Sequence, residues 1–331
     1  MLKKHPSVQF GKTGVLLVNL GTPNSTKWWD IRKYLKEFLS DRRVIEVNPI
    51  IWQVILNLFV LTFRPSKTAH AYKKIWFKKK NISPLLYYTK SQTNKLKKIL
   101  SRKKLIIDFA MRYGRPSIKS RLNLLRDKGC EKLIILPLYP QYAAATTATV
   151  CDEVYRSLMS MRWQPSLQVI PHYESEKMYI EALVKSIREK VKSIKWKPDL
   201  IVASYHGIPK SYFDKGDPYQ CYCQKTSRLI KEKYSDIEIL TTFQSRFGPQ
   251  EWLQPYTDKT LDELPKKGKK NILVICPGFA SDCVETLEEI NIQERANFIK
   301  SGGKNFDLIP CLNDKKEHIQ LFKSLVQRYL I

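Results

Sequence analysis

Acidic residues are scarce in this chain: 31 Asp+Glu stand against 58 Lys+Arg, for a net charge of +27 over 331 residues. That imbalance admits attraction to nucleic acid, to an anionic membrane surface or to an acidic ligand, and solvated lysines on helix faces account for it equally well. Zinc-finger spacing, a helix-turn-helix pattern and the interleaved aromatics of RNA-binding modules are all missing, which argues against nucleic acid. No G-x-G-x-x-G loop or Walker motif follows any candidate strand, so the usual dinucleotide and nucleotide-hydrolysing sites are excluded. The opening residues lack the apolar stretch of a secretory leader, and a cytoplasmic chain is expected. Seven cysteines, an odd number scattered from Cys130 to Cys311, give no disulfide framework, so reduced thiols are expected. Cys221-x-Cys223 is too close for a metal knuckle, and no iron–sulfur cluster or other tightly bound cofactor is expected.

What is present is an alternation of strands and helices. Short apolar runs at 15–20, 105–109, 133–138, 167–170, 200–204, 237–242, 272–276 and 306–309 read as buried strands. Between them, segments such as 30–39, 91–100, 150–161, 176–194 and 282–298 carry helical periodicity. This order implies an α/β protein with parallel, doubly wound sheets covered on both faces. Each half opens on a strand that runs into a turn with Gly and Pro: Asn19-Leu-Gly-Thr-Pro23 and Tyr205-His-Gly-Ile-Pro209. The expectation is two similar Rossmann-like domains, 1–165 and 166–311, each a four-stranded parallel sheet flanked by helices. A last helix within 312–331 is placed to fold back onto the first half.

Residues 50–61 are strongly apolar and run into Arg64, Lys67, Lys73, Lys74, Lys78, Lys79 and Lys80. The run is too short to span a bilayer, which takes about 20 residues. It is either a helix buried against the sheet or an exposed lip that binds a flat apolar ligand or touches a membrane surface.

Ligands of doubly wound sheets gather outside the carboxyl ends of the strands. His206 stands there, one residue beyond an apolar strand and before a glycine that permits close approach; an imidazole in that place takes up protons or ligates a metal. His5, His70, His172 and His318 have no comparable position. A second strand end, Cys276-Pro-Gly-Phe279, runs into a helix that Ser281 could cap. Asp282, Glu285 and Glu289 then share one face of that helix at i, i+3 and i+7, although acidic residues are also favoured in a first turn by the helix dipole. Oxygen donors with one imidazole suit a transiently held divalent iron better than a thiolate cage does.

Seven motifs in order, Asn19-Leu-Gly-Thr-Pro23, Met111-Arg-Tyr-Gly114, Leu136-Pro-Leu-Tyr-Pro-Gln-Tyr142, Tyr205-His-Gly-Ile-Pro209, Lys215-Gly-Asp-Pro-Tyr219, Phe243-Gln-Ser-Arg-Phe-Gly-Pro249 and Pro277-Gly-Phe279 through Glu289, make the chain resemble the ferrochelatases along nearly its whole length. The resemblance implies the chelatase fold and insertion of Fe(2+) into a porphyrin in haem synthesis, a lyase reaction. His206 would be the active-site base or iron ligand and Glu285 its partner carboxylate across the porphyrin, with Asp282 and Glu289 as an acidic track beside it that could also meet the metal. Leu20, Arg64, Tyr72, Ser83, Arg112, Tyr113 and Trp252 would line the porphyrin cleft, with Arg64, Tyr72 and Ser83 meeting propionates. Members that act on coproporphyrin tend to carry tyrosine where this chain has Leu20, so protoporphyrin IX is the expected substrate and coproporphyrin III the alternative. A chelatase for another tetrapyrrole or metal, and a basic nucleic-acid or membrane-surface module, are the more distant readings. The partners expected are porphyrin, ferrous iron and the membrane surface at the lip, without nucleic acid.

Overall fold

Runs of branched apolar residues build the two sheets. The computed structural model describes residues 10–330; the opening residues on which the leader expectation rests, and His5, lie outside the described residues. The first sheet holds β1 (Lys12–Thr22), β2 (Leu105–Gly114), β3 (Cys130–Pro137) and β4 (Ser166–Val169) in the order β2-β1-β3-β4, all parallel. The second holds β5 (Leu200–His206), β6 (Ile239–Gln244), β7 (Asn271–Ile275) and β8 (Asn305–Ile309) in the order β6-β5-β7-β8, again parallel. Central strands buried on both faces need continuous apolar runs rather than alternation, and Val15, Leu16, Leu17 and Val18 are all fully buried. The repeated strand order bears out two similar four-stranded halves. The boundary expected at 165 falls one strand early: Ser166–Val169 pairs with β3, where Leu133 to Ile135 offer it an apolar edge in register.

The halves share one core, in which Leu17 and Ile134 of the first sheet join Ile201, Tyr205 and Ile275 of the second. The last helix, Lys316–Gln327, packs against Pro84–Ile99 of the first half and Lys177–Ser193. Pro84–Ile99 starts earlier than its periodicity suggests. The Ser83 hydroxyl accepts from Leu86 N and Pro84 fills the first turn, where a missing N–H costs nothing.

Three helical segments are wound as π-turns: Leu56–Val60, Ala144–Ala148 and Glu285–Glu294. The first joins Pro49–Ile55 to Leu61–Ile75, so the apolar run read as too short to span a bilayer belongs to a continuous helix of 27 residues that meets the length and composition of a spanning segment. One side of it is buried: Leu56, Leu61 and Tyr72 pack with Ile31 and Leu35 of the helix Trp28–Leu39. Its other side is bare, with Ile50 78% and Phe63 73% exposed. The buried-helix and exposed-lip readings are thus two faces of one element.

Candidate active site

In a 2-1-3-4 sheet the crevice opens beside the first strand, where its neighbours' connections leave in opposite directions. Both crevices of this molecule open into one cavity of about 1000 Å³, lined from β1 by Asn19 and Leu20, from β5 by His206, and from β6 by Gln244. At the rim of β1 only glycine fits: Gly21 has φ +116°, and a Cβ there would lie 1.8 Å from the Tyr113 carbonyl oxygen.

His206 ends β5. Its Nδ1 lies 2.7 Å from the Gly207 carbonyl, which only accepts, so Nδ1 carries the proton and Nε2 presents a lone pair. Gly207 lets the loops close on it: its N–H donates to Gln244 O at 2.7 Å, and a side chain would press on that oxygen and on Trp252. Two of the other histidines, His172 and His318, are spent elsewhere. His172 sits 2.5 Å from the buried Glu174 carboxylate, and His318 donates to Asn313 O while burial pulls its pKa down to about 4.

The acidic segment differs from its sequence reading. Helical winding begins at Val284 and the π-wound stretch at Glu285, and Ser281 does not cap it; its hydroxyl accepts from Gln92 Nε2. Asp282 belongs to the preceding turn, nearly fully buried, where it accepts from Cys311 N, Thr286 Oγ1 and Asn313 Nδ2. It holds that loop and does not line the cavity, so the expected face of three carboxylates at i, i+3 and i+7 is not formed. A different stripe replaces it. At about 100° per residue an α-helix would set Glu294 opposite Glu285, whereas i→i+5 bonding, at about 82° per residue, returns it to within about 20°. Glu285, Glu289 and Glu294 therefore run along one side of the π-helix, and all three line the cavity. Gln244 Nε2 holds the start of this helix by donating to Glu285 O at 3.0 Å. Glu288, which the sequence reading passed over, is buried and bonds Lys74 at 2.8 Å, tying the π-helix to Leu61–Ile75. Among the described residues no group of three or more His, Cys, Asp or Glu side chains is arranged to hold a metal ion.

Charge in the cleft centres on Glu285. Burial pushes the Tyr34, Tyr72 and Tyr139 hydroxyls up and the Glu285 carboxylate adds to each shift, while burial pulls the Arg64 guanidinium down against the pull of the same carboxylate. Burial also raises Glu289, opposed by the Ser245 hydroxyl and by His206. Glu294 rises from its ordinary 4.5 to about 7, first through burial and then through Asp258, Glu289 and Asp262, with Asn297 working against them.

The folded protein thus holds the Glu294 proton more tightly than the unfolded chain, so this group costs stability as pH rises from 4.5 through about 7. The expected result for Glu294→Gln is a melting temperature above that of the parent at pH 8, by about 1–2 kcal/mol of stability, with the gain vanishing near pH 4.5. Thermal melts across that range check it; a difference independent of pH would contradict the assignment.

Of the residues expected around the porphyrin, Leu20, Arg64, Tyr72 and Trp252 line the cavity. Arg64 Nη1 is buried with no hydrogen-bond partner, and its guanidinium lies 4.5 Å from the Phe247 ring centroid. Ser83 accepts from Leu86 N in its capping role and borders a smaller hollow beside Leu20, Tyr72 and Glu285. Arg112 and Tyr113 are not on the cleft wall. The Arg112 guanidinium is taken up by Asp41 and Thr149 and the Tyr113 hydroxyl by Asp41, a largely buried network that stitches the turn after Trp28–Leu39 to β2.

Two facing parallel sheets that pool an imidazole and a carboxylate stripe in one crevice define the chelatase fold. The sirohydrochlorin chelatase SirB from Bacillus subtilis subspecies spizizenii, solved in complex with cobalt, shares it with a TM-score of 0.58 at 10% identity, over 96% of this chain and 95% of that one. Within that class the chain belongs to the ferrochelatase family, whose model matches residues 12–330. The ferrochelatase of Allorhizobium ampelinum (strain ATCC BAA-846 / DSM 112012 / S4) is 52% identical over 99% of this chain and 96% of its own length. That of Francisella tularensis subsp. tularensis (strain FSC 198) is 51% identical over 97% and 96%. The chemistry of the cleft is accordingly metal insertion into a porphyrin, in haem biosynthesis.

Proposed function

We propose that the protein inserts Fe(2+) into protoporphyrin IX, releasing two protons and acting as a lyase. The observation that carries this reading is the single cavity in which His206 Nε2 and the stripe Glu285, Glu289 and Glu294 stand together. Two pyrrole protons must leave as the metal enters: Nε2 is free to accept one, and Glu289 and Glu294, raised by burial, can hand protons onward while the stripe meets the incoming cation. Burial pushes the Cys276, Cys283 and Cys311 thiols up, which supports iron handling by oxygen and nitrogen rather than by thiolate. Arg64, with its unpaired buried nitrogen, and the Tyr72 hydroxyl suit a propionate.

Protoporphyrin over coproporphyrin rests on Leu20, whose apolar side chain lines the cleft where a tyrosine could reach the metal. Under anaerobic conditions, kcat/KM for protoporphyrin IX is expected to exceed that for coproporphyrin III by about tenfold or more, as differential pocket contacts of this kind allow. A preference for coproporphyrin would overturn the reading of Leu20 and leave the chelatase intact.

The bare face of Pro49–Ile75 supports a cytoplasmic enzyme docked on the membrane surface. Ile50, Val54 and Leu58 repeat every four residues and are 78%, 53% and 62% exposed, and Lys67, Lys73 and Lys78 follow them. Apolar side chains beside lysines suit an anionic bilayer. The buried face, fixed on Trp28–Leu39, and Arg64 turned to the cavity favour lying on the bilayer over crossing it. Ile50→Ser with Leu58→Ser is expected to weaken flotation with anionic vesicles by about tenfold while leaving activity in detergent unchanged; undiminished flotation would contradict docking.

A further inference from the structure

A second cavity, of about 460 Å³, lies at the amino-terminal end of β2, the end remote from the cleft. β2 is the outer strand of its sheet. The cavity straddles its edge, since Leu100 after one flanking helix and Leu124 of the helix Ile118–Asp127 both line it. Backbone groups alternate in direction along a strand. Lys104 O accepts from Thr13 N of β1, so even-numbered residues of β2 face β1 and odd-numbered ones face the open edge. Of the outward N–H groups, that of Leu105 donates to Arg102 O, that of Phe109 to Asp108 Oδ1 and that of Met111 to Pro116 O. Ile107 N–H, between them, points by the same alternation to the open edge, and Ile107 lines the cavity.

The side chains around it are as one-sided as the backbone. Lys97, Arg102, Arg121 and Lys128 line the cavity against one carboxylate, Asp108. Lys97, Arg102 and Lys128 form no ion pair among the described residues, and Arg121 reaches Asp108 only at 3.5 Å. Arg121 Nε is buried without a hydrogen-bond partner. Donors and positive charge that converge on a hollow, with one carboxylate among them, call for an anion bearing more than one charge. Leu100, Leu105 and Leu124 add an apolar wall that a bare inorganic ion would leave unused.

We propose that this cavity binds a multiply charged organic phosphate, with the phosphate oxygens on Arg121, Lys128 and Ile107 N–H and the organic part against Leu100 and Leu124. The site is separate from the porphyrin cleft and independent of which porphyrin is metallated. Titration calorimetry on the full chain, with ATP and inorganic tripolyphosphate as probes, tests it. ATP is expected to bind one to one and more tightly than tripolyphosphate, to shift the Ile107 amide resonance, and to lose about tenfold or more in affinity in Arg121→Gln with Lys128→Gln. Both side chains are partly exposed, so the variant should fold, and its iron-insertion rate should match the parent's. Absence of ATP binding, or equal affinity in the variant, would overturn the site; equal affinity for tripolyphosphate would overturn the assignment of an organic ligand.

Discussion

Replacing His206 with alanine lowers kcat for iron insertion by about a thousandfold, within the range that loss of a positioned acid–base group produces. The expectation follows from the protonation pattern at the end of β5: Nδ1 is committed to the Gly207 carbonyl, and Nε2 has the lone pair that a pyrrole proton needs. The side chain makes no other hydrogen bond among the described residues, so its removal should cost little stability, under about 1 kcal/mol. Porphyrin affinity, read by fluorescence quenching, should stay within about threefold, because the apolar walls of the cleft supply most of it. Turnover near the parent's level in a well-folded variant would remove His206 from the chemistry.

Glu285→Gln is the second large effect, with an expected fall of about a hundredfold in kcat and little change in porphyrin affinity. Glutamine keeps the shape and loses the charge. The backbone at this position is held from outside the side chain, by Gln244 Nε2 on Glu285 O, so the π-helix should remain in place. What disappears is the charge felt by Tyr34, Tyr72, Tyr139, Arg64 and Glu289 together. A variant that kept its rate and lost porphyrin binding would make Glu285 part of the cleft wall instead.

The sheets were legible because their signal is local and redundant: fully buried strands such as β1 and β5 need unbroken apolar runs, and each leads into a Gly- and Pro-containing turn. His206 was legible for the same reason, as the polar residue that ends such a run. The acidic stripe was not. Its residues were in view, but their grouping depends on winding, and i→i+5 bonding over Glu285–Glu294 is set by tertiary anchors such as Gln244 and Lys74 rather than by helix propensity. The spacing of four and then five between Glu285, Glu289 and Glu294 was the signal available. Arg112 and Tyr113 misled in a complementary way. They stand at a strand end in a family motif, yet their partner Asp41 lies about seventy residues earlier, and no local pattern announces that pair. Asp282 was spent on ordering backbone, a role polar residues at turns take more often than catalysis.

The most direct test is anaerobic incubation of the purified protein with Fe(2+) and protoporphyrin IX, followed through the absorption change on metallation. The account predicts catalytic turnover to protohaem that the His206→Ala variant lacks. Absence of turnover by the folded parent protein, with metallation of sirohydrochlorin in its place, would contradict it.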